Sequence, residues 1–373
     1  MSSASLFDLE QILSPIPGEV DTGVDVRMDP SPTSTYQTIK AARSAARAAE
    51  RNSIHDGHSN EADDHWRVIK NLAPELIAAQ AKDLEVACWY TEALLRSNGF
   101  QGLRDGFRLI LGLIENFWEN LYPMPDEDGI ETRVSCLAGL NGEGAEGVLI
   151  APIRRTEITE GSTIGPFTYW EYQQALDCQK VADEKSKQAK IAKLGFSLDN
   201  IETAIRETAN PFFENIRDDL TDAIAHYRQV SHLLDEHCGT YDAPPTRTII
   251  EILEECLGAI NHLAKDKLPL PETPQETPTE EPDQPEEQAA NIQQHVQISA
   301  PTHLENREAA FRQLVDIAEF FRKNEPHSPV SYMLQKAVKW GRMPLNELMQ
   351  ELIPDTSSRS HFSEITGVLA EDE

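Results

Sequence analysis

Apolar residues recur at helical spacing along most of the chain, interrupted at intervals by proline and glycine. Tyr36 to Arg51 is rich in Ala and Arg and predicts a helix from intrinsic propensity. Asp63 or Asp64 is a candidate N-cap for the next helix, through Trp66, Ile69 and Leu72, with Pro74 kinking it or opening a successor. From Lys82 to Ser97, the residues Leu84, Ala87, Cys88, Thr91, Leu94 and Leu95 share one face, and Gly99 ends the run as a C-terminal cap. Leu103 to Leu121 carries Phe107, Ile110, Leu111, Ile114, Phe117 and Trp118 between its ends. That face is too wide for a surface helix, so the element belongs at the centre of a core.

Tyr122-Pro123 stops this run, because proline lacks the N–H a helix needs and turns its predecessor away from helical backbone. The acidic turn Asp126-Glu127-Asp128-Gly129 comes next, with Arg133 near enough in sequence to answer its charge. Ile12 to Arg27, punctuated by Pro and Gly, predicts an extended entry segment draped over the helices. Four glycines fall between Gly139 and Gly147, and Val148 to Ile153 predicts a short strand or extended packing segment. Further helices are expected from about Phe167 to His237, interrupted near Gly195 and Asn210-Pro211, and from Ile249 to Leu263. Strand signals are sparse, so the class is mainly α.

Residues 267–300 break the pattern. Residues 269–288 hold six prolines, seven acids, no base and one large apolar residue, Leu270. Such a stretch buries too little surface to offset its ordering entropy, and a disordered acidic Pro-rich linker is expected. Three short apolar stripes lie beyond it: Phe311, Leu314, Val315, Ala318 and Phe321; then Val330, Met333, Leu334, Ala337 and Val338; then Leu345, Leu348, Met349 and Leu352. The expected plan is a multi-helical N-terminal domain (1–160), a helical middle region (161–266), the linker (267–300), a small helical C-terminal domain (301–353) and a flexible tail (354–373). A domain of three such helices hides too little surface alone, so burial against copies of itself is expected. Phe311, Leu314, Phe321, Tyr332, Leu334, Trp340, Leu345 and Leu348 are its candidate oligomerisation residues.

Charge narrows the partners. The formal net charge is −30. Residues 1–268 carry 44 acids against 25 Lys and Arg, whereas residues 301–352 balance at seven and seven. That balance disfavours nucleic acid and anionic lipid, both of which need clustered bases, and favours basic partner proteins. Five cysteines with no CxxC pair suit a reducing compartment, and the absence of a long apolar run or signal peptide points to the cytoplasm.

Catalytic readings find little footing. The acids of 126–129 are contiguous where a calcium loop alternates them; a carboxylate capping the next helix, with Arg133 paired to another, is the simpler reading. Gly139 to Gly147 lacks the Lys-Ser/Thr of a phosphate loop. His226, His232 and His237 are not one helical turn apart, and nothing activates Cys238. Glu92, Glu115 and Glu119 are the acids a hydrolase of this helical domain would use, with solvated helix faces as the plainer account. No cofactor or metal is implied.

Four blocks resemble the ImpA/TssA family of the bacterial type VI secretion machine. They are Leu13-Ser14-Pro15-Ile16-Pro17-Gly18 with Gly23, Asp25 and Arg27; Trp66-Arg67 with Lys82-Asp83-Leu84-Glu85 and Leu94-Leu95-Arg96; Gly99 to Arg104 through Trp118-Glu119-Asn120-Leu121-Tyr122-Pro123 to Gly129; and Glu325 to Tyr332 with Trp340 to Leu345. The resemblance implies an assembly protein, not an enzyme: an oligomeric scaffold, ring-like through its C-terminal half, that docks to the baseplate and promotes tail tube and sheath assembly. It implies TssK, TssE, VgrG, the Hcp tube and the TssB/TssC sheath as partners, the membrane complex beyond them, and a place in the cytoplasm near the inner membrane. The short C-terminal region favours a baseplate-associated role. Recessed aromatics beside exposed acids have the character of interface anchors. Trp118, Asn120, Tyr122, Pro123, Asp126, Glu127, Asp128, Gly129 and Arg133 are therefore the candidate partner-binding residues. An acidic chaperone-like adaptor is the alternative.

Overall fold

The computed structural model describes residues 2–52, 60–127, 129–161, 163–239 and 242–268, with residues 311, 314, 315, 317–319, 321–323, 329–343 and 348 beyond them. The expected linker from residue 269 on, the tail 354–373, and Asp128, Leu345, Met349 and Leu352 lie outside the described residues. The chain divides into two units, Met1–Glu276 and Thr277–Glu373. Among the described residues there are helices and isolated bridges but no strands, and no helix is long and apolar enough to cross a membrane.

The first unit is built around α4 (Leu84–Phe117), after α1 (Leu9–Leu13), α2 (Thr35–Asn52) and α3 (Asn60–Ala79). Asp83 caps α4, its carboxylate accepting from the Val86 N–H at 3.0 Å. Gly99 breaks the element at φ +56°, a conformation that favours glycine, and helix resumes at once. Leu103, Phe107, Ile110 and Ile114 are fully buried, as the wide apolar face requires. α2 and α3 pair as a hairpin over its first half, with Ala42, Ala46 and Ala49 buried on α2 and Trp66, Ile69 and Ala73 on α3.

After α5 (Glu131–Asn141), α6 (Ile150–Arg154), α7 (Tyr169–Gln179), α8 (Glu184–Leu194) and α9 (Leu198–Glu207), the long α10 (Asn210–Cys238) lies along α4, and α11 (Arg247–Leu263) packs on α10. Phe107 and Tyr227 stack across the α4–α10 seam with ring centres 4.3 Å apart. Arg104 on α4 reaches Asp219 on α10 and the carbonyls of Ser3 and Ala4, while Asp105 accepts from the Leu6 N–H at 2.7 Å. The helices of 161–266 thus complete the core begun by residues 1–160.

Three local expectations change. Asp63 and Asp64 lie inside α3, which begins at Asn60; Asp63 favours that end through the helix dipole without capping it, and Pro74 is accommodated within the helix. Residues 148–153 give a short helix instead of a strand, because Leu149, Ile150 and Ile153 bury a helical face. The central helix ends at Phe117, and Trp118–Asn120 form a 3-10 turn.

In the second unit, α12 (Val330–Arg342) follows Pro329, and Phe311 packs against it where a Cβ on Gly341 would come within 2.4 Å of the ring.

Candidate partner interface

The loop from Trp118 to Arg133 rests on a small ladder that no single sequence segment contains. Residues 80–84 run between two neighbours. On one side Lys82 N–H donates to the Thr22 carbonyl at 2.8 Å and Val24 N–H to the Gln80 carbonyl at 3.0 Å. On the other, Tyr122 N–H donates to the Lys82 carbonyl at 3.0 Å and Leu84 N–H to the Tyr122 carbonyl at 2.8 Å. The entry segment is stitched to the loop through this middle piece. Gly23 permits the approach: its φ is +78°, and a Cβ there would lie 2.1 Å from the Gln80 carbonyl oxygen.

Charges fix the ladder from within. Arg27 bonds the buried Asp83 carboxylate at 2.6 and 3.3 Å and Glu85 at 2.7 Å, and the Tyr36 hydroxyl donates to Glu85 at 2.9 Å. Burial pushes the Asp83 carboxyl up, against the pull of Arg27 and the Val86 N–H. Lys82 is fully buried, donating from Nζ to the carbonyls of Ile12 at 2.5 Å and Ile77 at 3.0 Å, 5.5 Å from the Phe117 ring centre. Burial lowers its pKa to about 8, with Asp21 opposing.

The candidate residues divide between surface and support. Trp118 is half-buried, its indole stacked on the His237 imidazole at 4.4 Å and 17°, with the Arg133 guanidinium 5.1 Å from the ring centre. Tyr122 is half-buried and points its hydroxyl at the Gly23 carbonyl, 3.5 Å away. Asn120, Asp126 and Glu127 are exposed, as is Met124. Pro123 is buried, and Gly129 turns the chain at φ +78°.

Arg133 is buried too, donating to the carbonyls of Trp118 at 2.6 Å and Pro123 at 3.1 Å. Its place is therefore behind the loop, holding it by two carbonyls. The expected carboxylate cap is also absent: Ile130 occupies the N-cap of α5 without a side-chain bond, while Asp126 accepts from the Thr132 hydroxyl. Contiguous acids at a loop tip gain more from solvent than from burial beside an arginine already held by carbonyls.

Two features escaped the sequence reading. His237 lies at the far end of α10, and no spacing signal links it to Trp118. Residues Pro15 to Asp21 form, with Asn120, an open groove of about 600 Å³ rimmed by Glu19 and Asp21. The Pro/Gly punctuation predicts that this segment drapes over the helices, but nothing in it names the loop as its neighbour.

Of the candidate oligomerisation residues, Tyr332 is 63% exposed, and Phe311, Leu314, Phe321, Leu334, Trp340 and Leu348 are half-buried. Exposed Met333 and Val330 adjoin Tyr332 on α12. Trp340 and Phe311 are engaged by cations of their own unit, Lys336 at 4.7 Å and Arg342 at 5.6 Å from the ring centres.

The acids weighed for catalysis do not converge. Glu92 is buried against Arg43 at 2.6 Å, while Glu115 and Glu119 face solvent. Burial pushes the thiols of Cys88, Cys238 and Cys256 up, away from the nucleophilic thiolate. Among the described residues no three His, Cys, Asp or Glu side chains are grouped to hold a metal. What the surface offers is shape, hydrogen bonding and negative charge.

Known proteins agree with this geometry. Residues 13–142 match the family model for ImpA, N-terminal, type VI secretion system. The type VI secretion system component TssA1 of Pseudomonas aeruginosa is 25% identical over 307 residues, covering 79% of this chain and 82% of that protein. A solved N-terminal domain that includes the conserved ImpA_N region of the TssA component from Burkholderia cenocepacia shares the fold, with a TM-score of 0.57 and 24% identity over 70% of this chain and 94% of that one. The matched residues hold both sides of the ladder, from the entry segment to the Trp118–Arg133 loop, and residues 13–142 carry the ImpA N-terminal domain of the type VI secretion system, in a chain similar over most of its length to a TssA component.

Proposed function

We propose that this protein is an oligomeric scaffold that docks to the type VI baseplate and promotes assembly of tail tube and sheath. The observation that carries the proposal is the braced loop. Trp118 and Tyr122 are held half-exposed by His237, Arg133 and the ladder, beside the exposed acids Asp126 and Glu127. A preorganised aromatic pair ringed by charge loses little entropy on binding and discriminates by electrostatics. Candidate partners are the baseplate and tail proteins TssK, TssE and VgrG, the Hcp tube and the TssB/TssC sheath, met in the cytoplasm near the inner membrane.

The C-terminal unit would supply copy number. The exposed face of Tyr332, Met333 and Val330 on α12 supports burial against sister chains. Copies joined there would present several loops at once, raising avidity for a symmetric partner.

The test is capture of purified baseplate subunits by the full-length protein. Asp126→Lys with Glu127→Lys should weaken capture at least about tenfold while circular dichroism stays unchanged, because both side chains are solvent-facing. Capture at the native level by that folded variant would remove this surface from the proposal.

A further inference from the structure

Helix α8 (Glu184–Leu194) stands apart from the other described α-helices, because none of its residues is buried. Its ends are fixed by its own sequence, with α7 beside it and Lys187, Ile191 and Leu194 half-buried. Asp183 caps it, accepting from the Ser186 N–H at 2.8 Å, Gln188 bonds Glu184 at 2.8 Å, and Gly195 ends it at φ +82°. Eleven residues of good helix formers are marginal without packing, however well capped.

Onto this helix the chain places Lys185, Lys187, Lys190 and Lys193, with no acid between 185 and 194. Residues 1–268 hold only 25 bases against 44 acids, so four within nine positions is a local reversal of sign. Among the described residues, none of these four ammonium groups has a hydrogen bond or ion pair; Lys190 feels Asp177, which Lys180 already pairs at 2.8 Å. The helix dipole accounts for Lys193 in the last turn. It disfavours Lys185 and Lys187 near the start, and like charges three residues apart repel.

We propose that α8 is a docking face for a short carboxylate-rich segment of a partner polypeptide. Opposite charge laid along the helix would relieve its self-repulsion and hold a marginal element in place. The size of the patch selects the partner class. The helix is about 16 Å long, and charges are screened beyond about 8–10 Å. A short acidic segment fits within it. A duplex or anionic bilayer would extend past α8 and bring its charge against the acids that dominate the rest of residues 1–268. This surface is separate from the Trp118–Arg133 loop, so it stands or falls independently of the function proposed above.

The experiment uses the full-length protein and a fluorescein-labelled oligoglutamate peptide, followed by anisotropy at low salt. Binding is expected to weaken about tenfold in Lys187→Glu/Lys190→Glu/Lys193→Glu, since exposed ion pairs are individually weak. It should also fade between about 0.05 and about 0.3 M salt, where screening tightens. Amide exchange across 185–194 should slow when the peptide is added. No binding at low salt, equal binding by the folded triple variant, or unchanged exchange across α8 would each overturn the proposal. So would tighter binding of a single-stranded oligonucleotide or phosphatidylserine vesicles than of the peptide. Asp126→Lys leaves α8 untouched and should bind the peptide as the native chain does.

Discussion

Lys82 occupies a position where a charged side chain is costly, and its surroundings limit that cost with the carbonyls of Ile12 and Ile77 and the face of Phe117. Its pKa of about 8 lies below the ordinary lysine value of 10.5, so between these values the unfolded chain holds a proton that the folded chain has released. Stability contributed by this group therefore rises with pH across that window. Urea unfolding of the native chain and Lys82→Met at about pH 8 and about pH 9.5 should show the difference moving in favour of the native chain by roughly 1–2 kcal/mol. A constant difference would mean Lys82 keeps an ordinary proton affinity. In the sequence Lys82 opens a helical run and belongs to a family-like block beside Asp83 and Glu85, with no sign of burial. Its burial depends on Ile12 arriving from far along the chain, which no local periodicity encodes.

Elements were legible where one face alone decides them. The paired helices α2 and α3, the central α4 and its break at Gly99 come from apolar spacing and glycine placement. Residues 148–153 misled because a short apolar run fits strand or helix equally, and only its seat against the end of α5 selects the helix. Arg133 misled for a related reason: proximity in sequence to Asp126 suggested an ion pair, whereas the carbonyls of Trp118 and Pro123, beyond the end of α4, claim its guanidinium. The ladder is the element that joins entry segment and loop, and Gly23 is its tightest point. Gly23→Ala should destabilise the chain by roughly 2 kcal/mol or more, from a positive φ and a clash with backbone that cannot yield. Thermal unfolding measures that loss; an unshifted transition would show that the backbone at Gln80 can give way to a side chain.

At the scale of the whole molecule, composition sets an acidic Pro-rich stretch apart from the helical chain before it, and the first unit closes at Glu276, inside that stretch. It did not reveal that α10 completes the core of α4, because two amphipathic faces far apart in sequence carry no mark of each other. Removing residues 301–373 should reduce the species seen by light scattering to a single chain while the helical signal of the first unit persists. An unchanged assembly would move oligomerisation to another surface. The clasp around Trp118 has a practical outcome as well. An indole lying between an imidazole and a guanidinium has emission that depends on both; Trp66 and Trp89 are sealed inside the helical body, and replacing the exposed Trp170 and the half-buried Trp340 by Phe would leave Trp118 as the responsive emitter. Any protein that settles on this loop and shifts Trp118 from either neighbour changes the intrinsic fluorescence, so the molecule carries a native optical probe at the position where docking is proposed.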